Sequence, residues 1–145
     1  MSELDIEKHV NCGIEQALKI FGDRWSLLVI RNVLMGINRF DSLQDGLDIS
    51  RNILTRRLND LEEEGLLVKT PIKKGAKRMM YNPTAKCLAL VPVLIAMIDW
   101  SKNWSLDKEK KWSSVVDRST NEEVHIAIVD ENQQPVPMSN LKLRF

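Results

Sequence analysis

Residues 50–65, SRNILTRRLNDLEEEG, constrain the fold more than any other stretch, because they suit a helix that can bury only one of its faces. Leu54, Leu58 and Leu61 follow the spacing of four and three that lines one side of an α-helix, with Ile53 beside them, so this stripe should face a core. Ser50 is a natural N-cap and Gly65 a natural C′ residue, which sets the helix at about 51–64. On the outer side of its N-terminal half stand Arg51, Asn52, Thr55, Arg56 and Asn59, while Asp60, Glu62, Glu63 and Glu64 crowd the last turns. Arginine can donate to guanine, asparagine can pair with adenine, and a hydroxyl such as Ser50 or Thr55 can bond phosphate, so this face has the chemistry of a helix entering the DNA major groove by its N-terminal half. An ordinary surface helix with solvated arginines has the same composition, and the helix alone leaves both readings open.

The flanking segments narrow the choice. Arg39-Phe40-Asp41-Ser42-Leu43-Gln44-Asp45-Gly46-Leu47 reads as a short helix with Phe40, Leu43 and Leu47 inward, joined through Asp48 and Ile49 to the basic helix. The result is helix, turn, helix. Downstream, Leu66–Ile72 and Arg78–Tyr81 are two β-like runs joined by Lys73-Lys74-Gly75-Ala76-Lys77, a turn signal with three lysines. A basic hairpin after the second helix is a wing, at about 67–82. Its position favours contact of Lys73, Lys74, Lys77 and Arg78 with phosphate or the minor groove over simple solvation.

Charge follows the same division. Residues 51–82 carry a net charge of +4, whereas the whole chain is only +1. Positive charge is therefore concentrated in the candidate nucleic-acid element of a chain with no overall basicity. Arg57 projects between the leucine stripe and the exposed side, and has two readings: a DNA contact, or an ion pair with Asp60 or Glu62.

The first helices read as scaffold. Ile14, Ala17, Leu18 and Phe21 form one apolar face, Gly22 stops that helix, and Asp23 can cap the next, in which Trp25, Leu28, Val29, Val33 and Leu34 are apolar. Trp25 fits a core position better than a ligand-stacking one, and Arg24 and Arg31 are expected in solvent. After the wing, residues 84–104 read as one long helix in which Leu88, Val91, Leu94, Ile95, Ile98 and Trp100 supply more apolar surface than a single small domain needs. A helix apolar nearly all round must be covered nearly all round, and the simplest cover is the same helix of a second copy about a two-fold axis. Pro92 should bend this helix locally. Lys86 and Asp99 bracket only 12 residues, short of the ~20 apolar residues of a membrane span.

With 145 residues, the chain can support one cored domain and an appendage. Residues 1–112 are expected to hold the helical and winged part, and 113–145 a small β-rich extension. There Val124–Val129 and Val136, Met138, Leu141, Leu143 and Phe145 suggest a small hairpin or sheet around a turn at 130–134, packed on the dimer. Lys108-Glu109-Lys110-Lys111 reads as a solvated helix end. Met1–Lys8 is polar and acidic, unlike a signal peptide, which leads to a cytoplasmic expectation. The extension has no cysteine and one histidine, His125, so ligands for a tetrahedral zinc site are missing. With two distant histidines and no glycine-rich phosphate loop, no catalytic constellation can be assembled and no cofactor or metal is expected.

These residues, taken in order, resemble one family. Cys12-Gly13-Ile14-Glu15-Gln16-Ala17-Leu18, Gly22-Asp23-Arg24-Trp25-Ser26-Leu27-Leu28, Arg39-Phe40, Ile49-Ser50, Leu54-Thr55-Arg56-Arg57-Leu58-Asn59-Asp60-Leu61-Glu62, Gly65-Leu66, Tyr81, Thr84 and Pro92-Val93-Leu94 together resemble the HxlR-type winged helix-turn-helix regulators of bacteria and archaea, relatives of the MarR group. The resemblance runs from about Cys12 to Trp104. It implies a mainly α, α+β fold and a homodimer that binds double-stranded DNA at a palindromic operator and represses or activates nearby genes. Arg39, Ser50, Arg51, Asn52, Thr55, Arg56, Arg57, Asn59 and the wing cations would face DNA, and Leu88, Val91, Leu94, Ile95 and Ile98 would form the dimer interface. Cys12, just before the first helix, matches the N-terminal cysteine that several redox- and electrophile-sensing members use, although Gly13 stands where relatives often show proline. An unreactive packed thiol is the other reading of Cys12, and the default for Cys87 among Leu88, Ala89 and Leu90. A small-molecule signal is equally compatible with the sequence. The alternative function is a winged-helix module for protein association, against which the basic face and wing argue.

Overall fold

The computed structural model describes residues 12–144; Met1–Lys8 and Phe145, on which parts of the sequence reading fell, lie outside the described residues. Two units are distinguished by their internal contacts, one from Asn11 to Val91 and one built on Pro92–Phe145. In the first, helix α1 (Gly13–Phe21) ends at Gly22, whose amide donates to the Leu18 carbonyl at 2.8 Å. A Cβ at Gly22 would collide with that same carbonyl, so close approach selects glycine here. Asp23 then caps helix α2 (Ser26–Leu34), its Oδ2 accepting the amides of Trp25 at 2.8 Å and Ser26 at 3.0 Å.

Helix α3 (Phe40–Leu47) and helix α4 (Arg51–Glu63) are joined through Asp48, which adopts the left-handed conformation at φ 50°. No glycine marks that corner; aspartate is among the few other residues that visit this conformation without large cost. Gly65, at φ 73°, follows α4 as its C′ residue, as its spacing predicts. Strands β1 (Leu67–Pro71) and β2 (Met79–Pro83) pair antiparallel with Lys69 opposite Tyr81 and Pro71 opposite Met79. The segment before α3 adds to this wing: Arg39 bridges Met80, and the Tyr81 amide donates to the Asn38 carbonyl at 2.8 Å. Val29, Ile30 and Val33 of α2, Leu43 of α3, Leu54, Leu58 and Leu61 of α4, and Leu66, Leu67 and Tyr81 of the wing are the buried core. The winged helix-turn-helix architecture, mainly α with a two-stranded sheet, is thereby established.

Several expectations are corrected. Ile53, placed beside the leucine stripe, is 40% exposed, because one residue turns a helix by about 100° and carries it off the buried face. Trp25 is half-buried, with the Arg24 guanidinium 5.0 Å over its ring, rather than a core residue. The apolar face of α1 finds little cover among the described residues, and Ile14 and Leu18 are 59% and 56% exposed. The run 84–104 is two helices, α5 (Ala85–Leu88) and α6 (Val91–Trp104). Pro92 does not bend one helix; lacking an N–H, it cannot bond the Leu88 carbonyl, and it sits in the first turn of the new helix, where a missing donor costs least. Thr84 caps α5, its hydroxyl accepting the Cys87 amide at 3.3 Å and donating to the Gly65 carbonyl at 2.6 Å.

In the second unit, α6 buries Ile95 but leaves Val93, Met97, Trp100 and Trp104 exposed. The extension contains no regular strand among the described residues. Its turns are organised by Asp117, whose Oδ1 accepts the Ser119 and Thr120 amides, and by Asp130, whose Oδ1 accepts those of Asn132 and Gln134. Single bridges, Val116 to Glu123 and Val129 to Pro135, close them, and a 3₁₀ turn follows at Met138–Asn140. Pro135 and Pro137 remove alternate donors from the segment expected to pair, which stops a ladder at one rung. No described helix is long and apolar enough to cross a membrane.

Since Leu58 is fully buried and Asn59 beside it is exposed, Leu58→Ala should cost about 2–5 kcal/mol in urea unfolding, while Asn59→Ala should stay within about 0.5 kcal/mol.

Candidate nucleic-acid interface

Burial of Leu54, Leu58 and Leu61 fixes the rotation of α4, and with it the direction of every other side chain on that helix. Arg51, Asn52, Thr55, Arg56 and Asn59 are all exposed on the opposite side. Ser50 caps the helix through its Oγ, which accepts the Ile53 amide at 3.3 Å. The Arg51 guanidinium lies 4.8 Å above the Phe40 ring, a cation–π contact that positions it at the start of the helix. The Thr55 hydroxyl donates to the Arg51 carbonyl at 2.8 Å, so its proton is used within the helix and only its lone pairs and methyl face outward.

Three of the four acids of the last turns are paired, and Glu63 stands exposed with no cation in ion-pair distance among the described residues. Arg57 Nη2 is 2.8 Å from Asp60 and Nη1 is 3.3 Å from Asp23. Glu62 meets Lys69 at 3.6 Å and Glu64 meets Lys86 at 4.0 Å. Among the described residues, no carboxylate lies within ion-pair distance of Arg39, Arg51, Arg56, Lys73, Lys74, Lys77 or Arg78. Negative charge is thus reduced to Glu63 at one end of α4, and uncompensated positive charge gathers at the other end and on the wing.

Arg57 itself departs from the exposed set. Of its two readings, the structure shows the ion pair with Asp60, and adds Asp23, whose side chain is only 28% exposed. Burial raises the Asp23 proton affinity, but the Ser26 hydroxyl, the Trp25 and Ser26 amides and the Arg57 guanidinium outweigh it and hold the carboxyl below its ordinary value. This residue thereby caps α2 and ties it to α4.

At the wing tip Gly75 has φ 77°, the Ala76 amide donates to the Lys73 carbonyl at 2.9 Å, and the Ile72 amide to the Arg78 carbonyl at 3.0 Å. Only a residue without a Cβ accepts that φ readily, so Gly75 shapes the hairpin that presents Lys73, Lys74 and Lys77. Arg39 stands at the N-terminal end of α3, exposed. Arg24 and Arg31 are exposed as expected, Arg31 donating from Nε to Asn32 Oδ1 at 2.9 Å.

Cys12 occupies the N-cap of α1 and is half-buried, with no capping bond from its side chain. Cys87 is fully buried, and burial pushes its thiol pKa up. Of the residues expected at a dimer interface, Ile95 is buried, Val91, Leu94 and Ile98 are half-buried and Leu88 is exposed. Among the described residues, no group of three or more His, Cys, Asp or Glu is placed to hold a metal ion. Sequence reasoning missed the Asp23–Arg57 link, the Phe40 platform under Arg51 and the Asn38–Tyr81 bond. Each joins residues of different elements; only the aspartate at a helix start and the arginine at an ambiguous angle were visible in advance.

Comparison with known proteins agrees with the winged helix-turn-helix architecture. The HxlR-like helix-turn-helix family matches residues 20–110, well over half of the chain. An uncharacterised HTH-type transcriptional regulator of Mycobacterium bovis is 31% identical over 92 residues, which cover 63% of this chain and 58% of that one, so the match spans under two thirds of the relative's length. The crystal structure of PA1607, a proposed transcription factor, superposes with a TM-score of 0.83 at 27% identity, covering 94% of this chain and 96% of that one. The reduced form of the transcriptional regulator YodB from Bacillus subtilis superposes at 0.58 with 26% identity, covering 67% and 97%.

Because the folded carboxyl of Asp23 lies below its ordinary value of 3.8, its stabilisation is complete above that value and is lost as pH falls through the folded pKa. Asp23→Asn keeps a capping oxygen and deletes the charge, so it should lower the melting temperature at neutral pH and flatten its fall in acid. A parallel acid limb in wild type and variant would exclude this role.

Proposed function

The chain belongs to the HxlR-like helix-turn-helix family, and we propose that it is a sequence-specific transcriptional regulator acting as a homodimer on a palindromic operator in double-stranded DNA. One observation carries this reading: Arg51 and Arg56 stand on the exposed side of α4 without a carboxylate partner among the described residues, while Asp60, Glu62 and Glu64 are each engaged by another cation. Arg51, Asn52, Thr55, Arg56 and Asn59 read base edges or adjoining phosphates in the major groove, with Ser50 at the helix start. Thr55 acts as an acceptor or through its methyl group, given the use of its proton. Arg39, Lys73, Lys74, Lys77 and Arg78 hold the backbone or the minor groove, and Arg57 supports the reading helix rather than reading. Residues 1–112 form the reading and dimerising part and 113–145 an extension, and the protein works on DNA in the cytoplasm.

Two copies read two half-sites, with centres roughly 34–36 Å apart for one turn of DNA. The exposed Ile14 and Leu18 of α1, and separately the exposed Val93, Met97 and Trp100 of α6, are apolar surfaces that a second copy covers. Cys12 is the residue through which an oxidant or electrophile reaches the protein, since Cys87 is buried and its thiol is held in the protonated form. Iodoacetamide should therefore alkylate Cys12 in the native protein and leave Cys87 unmodified by mass spectrometry; equal labelling would contradict the assignment.

The reading and backbone sets should fail differently. Arg56→Ala should lose ~1–3 kcal/mol on a selected duplex and far less on a random one. Lys74→Ala should weaken both alike and lower the salt slope by about one. Equal losses on both duplexes for Arg56→Ala would refute its assigned role. Leu18→Asp should shift the sedimenting species from dimer to monomer with its helicity intact; a wild-type monomer would remove the two-half-site reading.

A further inference from the structure

We propose that the cleft between the N-terminal end of α3 and the wing is a binding site for a small aromatic anion, such as an aromatic carboxylate. Its lining includes Arg39 and Phe40 from α3 and its N-cap, Lys69 from β1, and Arg78, Met79 and Tyr81 from the second half of the wing; its volume is about 360 Å³. That is the lower range of small-ligand pockets, which run to ~1,000 Å³. Lys69 of this lining is already paired with Glu62, but Arg39 and Arg78 outnumber the one lining carboxylate, Asp41, so the charge balance still favours an anion. Neither Arg39 nor Arg78 has a carboxylate within ion-pair distance among the described residues, leaving both guanidinium forks available for bidentate contact.

The remainder of the lining calls for more than a bare inorganic anion. Phe40 and Met79 are half-buried and Tyr81 is only 7% exposed, so a planar apolar body would be desolvated against aromatic and thioether surface. Lys69 lies 5.7 Å over the Tyr81 ring and 3.6 Å from Glu62, which holds its ammonium beside the cleft. Burial raises the Tyr81 phenol above its ordinary value, against the lowering by Lys69. Two unpaired guanidinium groups and apolar walls within one cleft match a ring bearing a carboxylate.

Occupancy of this cleft would be felt by the reading helix. Phe40 belongs to the cleft and is also the platform on which the Arg51 guanidinium rests at 4.8 Å. A ring packed against Phe40, with its carboxylate on Arg39 and Arg78, withdraws two backbone-holding cations and disturbs the first reading residue. The ligand therefore lowers DNA affinity. This coupling rests on the proposed DNA reading; the ligand site does not.

Isotope-labelled full-length protein should be titrated, without DNA, with 2-naphthoate, with neutral 2-naphthamide and with inorganic phosphate at constant pH and ionic strength. The proposal predicts saturable shifts of the Phe40, Met79 and Tyr81 amide resonances with 2-naphthoate, and binding at least about tenfold weaker for the other two probes. Arg78→Ala and Arg39→Ala, both at exposed positions, should each weaken 2-naphthoate by about tenfold or more, and Lys19→Ala on α1 should not. Phosphate binding as tightly as 2-naphthoate would make the cleft a phosphate seat and overturn the proposal. So would shifts confined to other residues, or no saturation at about 10 mM, above the millimolar range expected for so small a ligand. A duplex competition then tests the coupling alone: 2-naphthoate should displace DNA, and binding without displacement would refute the link to Arg51 while leaving the site. Failure of the wild-type protein to bind any duplex would instead count against the DNA reading, which the ligand titration does not use.

Discussion

The burial of Leu54, Leu58 and Leu61 is the constraint from which the rest of the molecule follows. Three leucines without measurable exposure hold α4 at one rotation about its axis, and a turn of one residue, about 100°, would bring Arg57 or Ile53 into the core instead. The rotation decides that Arg51, Asn52, Thr55, Arg56 and Asn59 project together. Packing supplies the orientation, and the outward side chains are then free to be chosen for chemistry rather than stability, since exposed substitutions cost little.

Electrostatics refine what packing orients. Each of Asp60, Glu62 and Glu64 has a cation from outside the exposed face, namely Arg57, Lys69 and Lys86. Such half-exposed pairs add little stability by themselves. Their larger effect is to lower the negative potential at one end of α4, where among the described residues only Glu63 stays unpaired, which leaves the arginines of its first turns and the wing cations as the dominant field that a polyanion meets. Arg57 has a second duty through Asp23, joining the cap of α2 to α4, so the two helices share one charged contact.

The helix-turn-helix and wing were legible because local rules govern them: a leucine period, an N-cap serine, a C′ glycine, and a lysine-rich turn around Gly75. What escaped was non-local or competitive. The corner at Asp48 has no glycine to announce it, and the Asn38 contact with Tyr81 links segments more than 40 residues apart. Pro92 was visible, yet whether it bends a helix or begins another depends on the fate of the Leu88 carbonyl. In the extension, alternating apolar residues suggested strands, but Pro135 and Pro137 withdrew the donors a ladder needs. For the candidate site, the exposed set on α4 was readable from one amphipathic period. The cleft by Phe40 was not, because it is assembled from α3 and both strands of the wing.

The central claim is that the outward face of α4 reads sequence, and the most direct measurement is an in vitro selection of random duplex DNA by the purified protein at near-physiological salt. The account predicts enrichment of an inverted repeat whose half-sites are centred one helical turn, about 10 base pairs, apart or a multiple of that. A soluble, folded protein that enriches nothing would contradict it, and the basic face of α4 would then belong to an ordinary surface helix or to a protein partner.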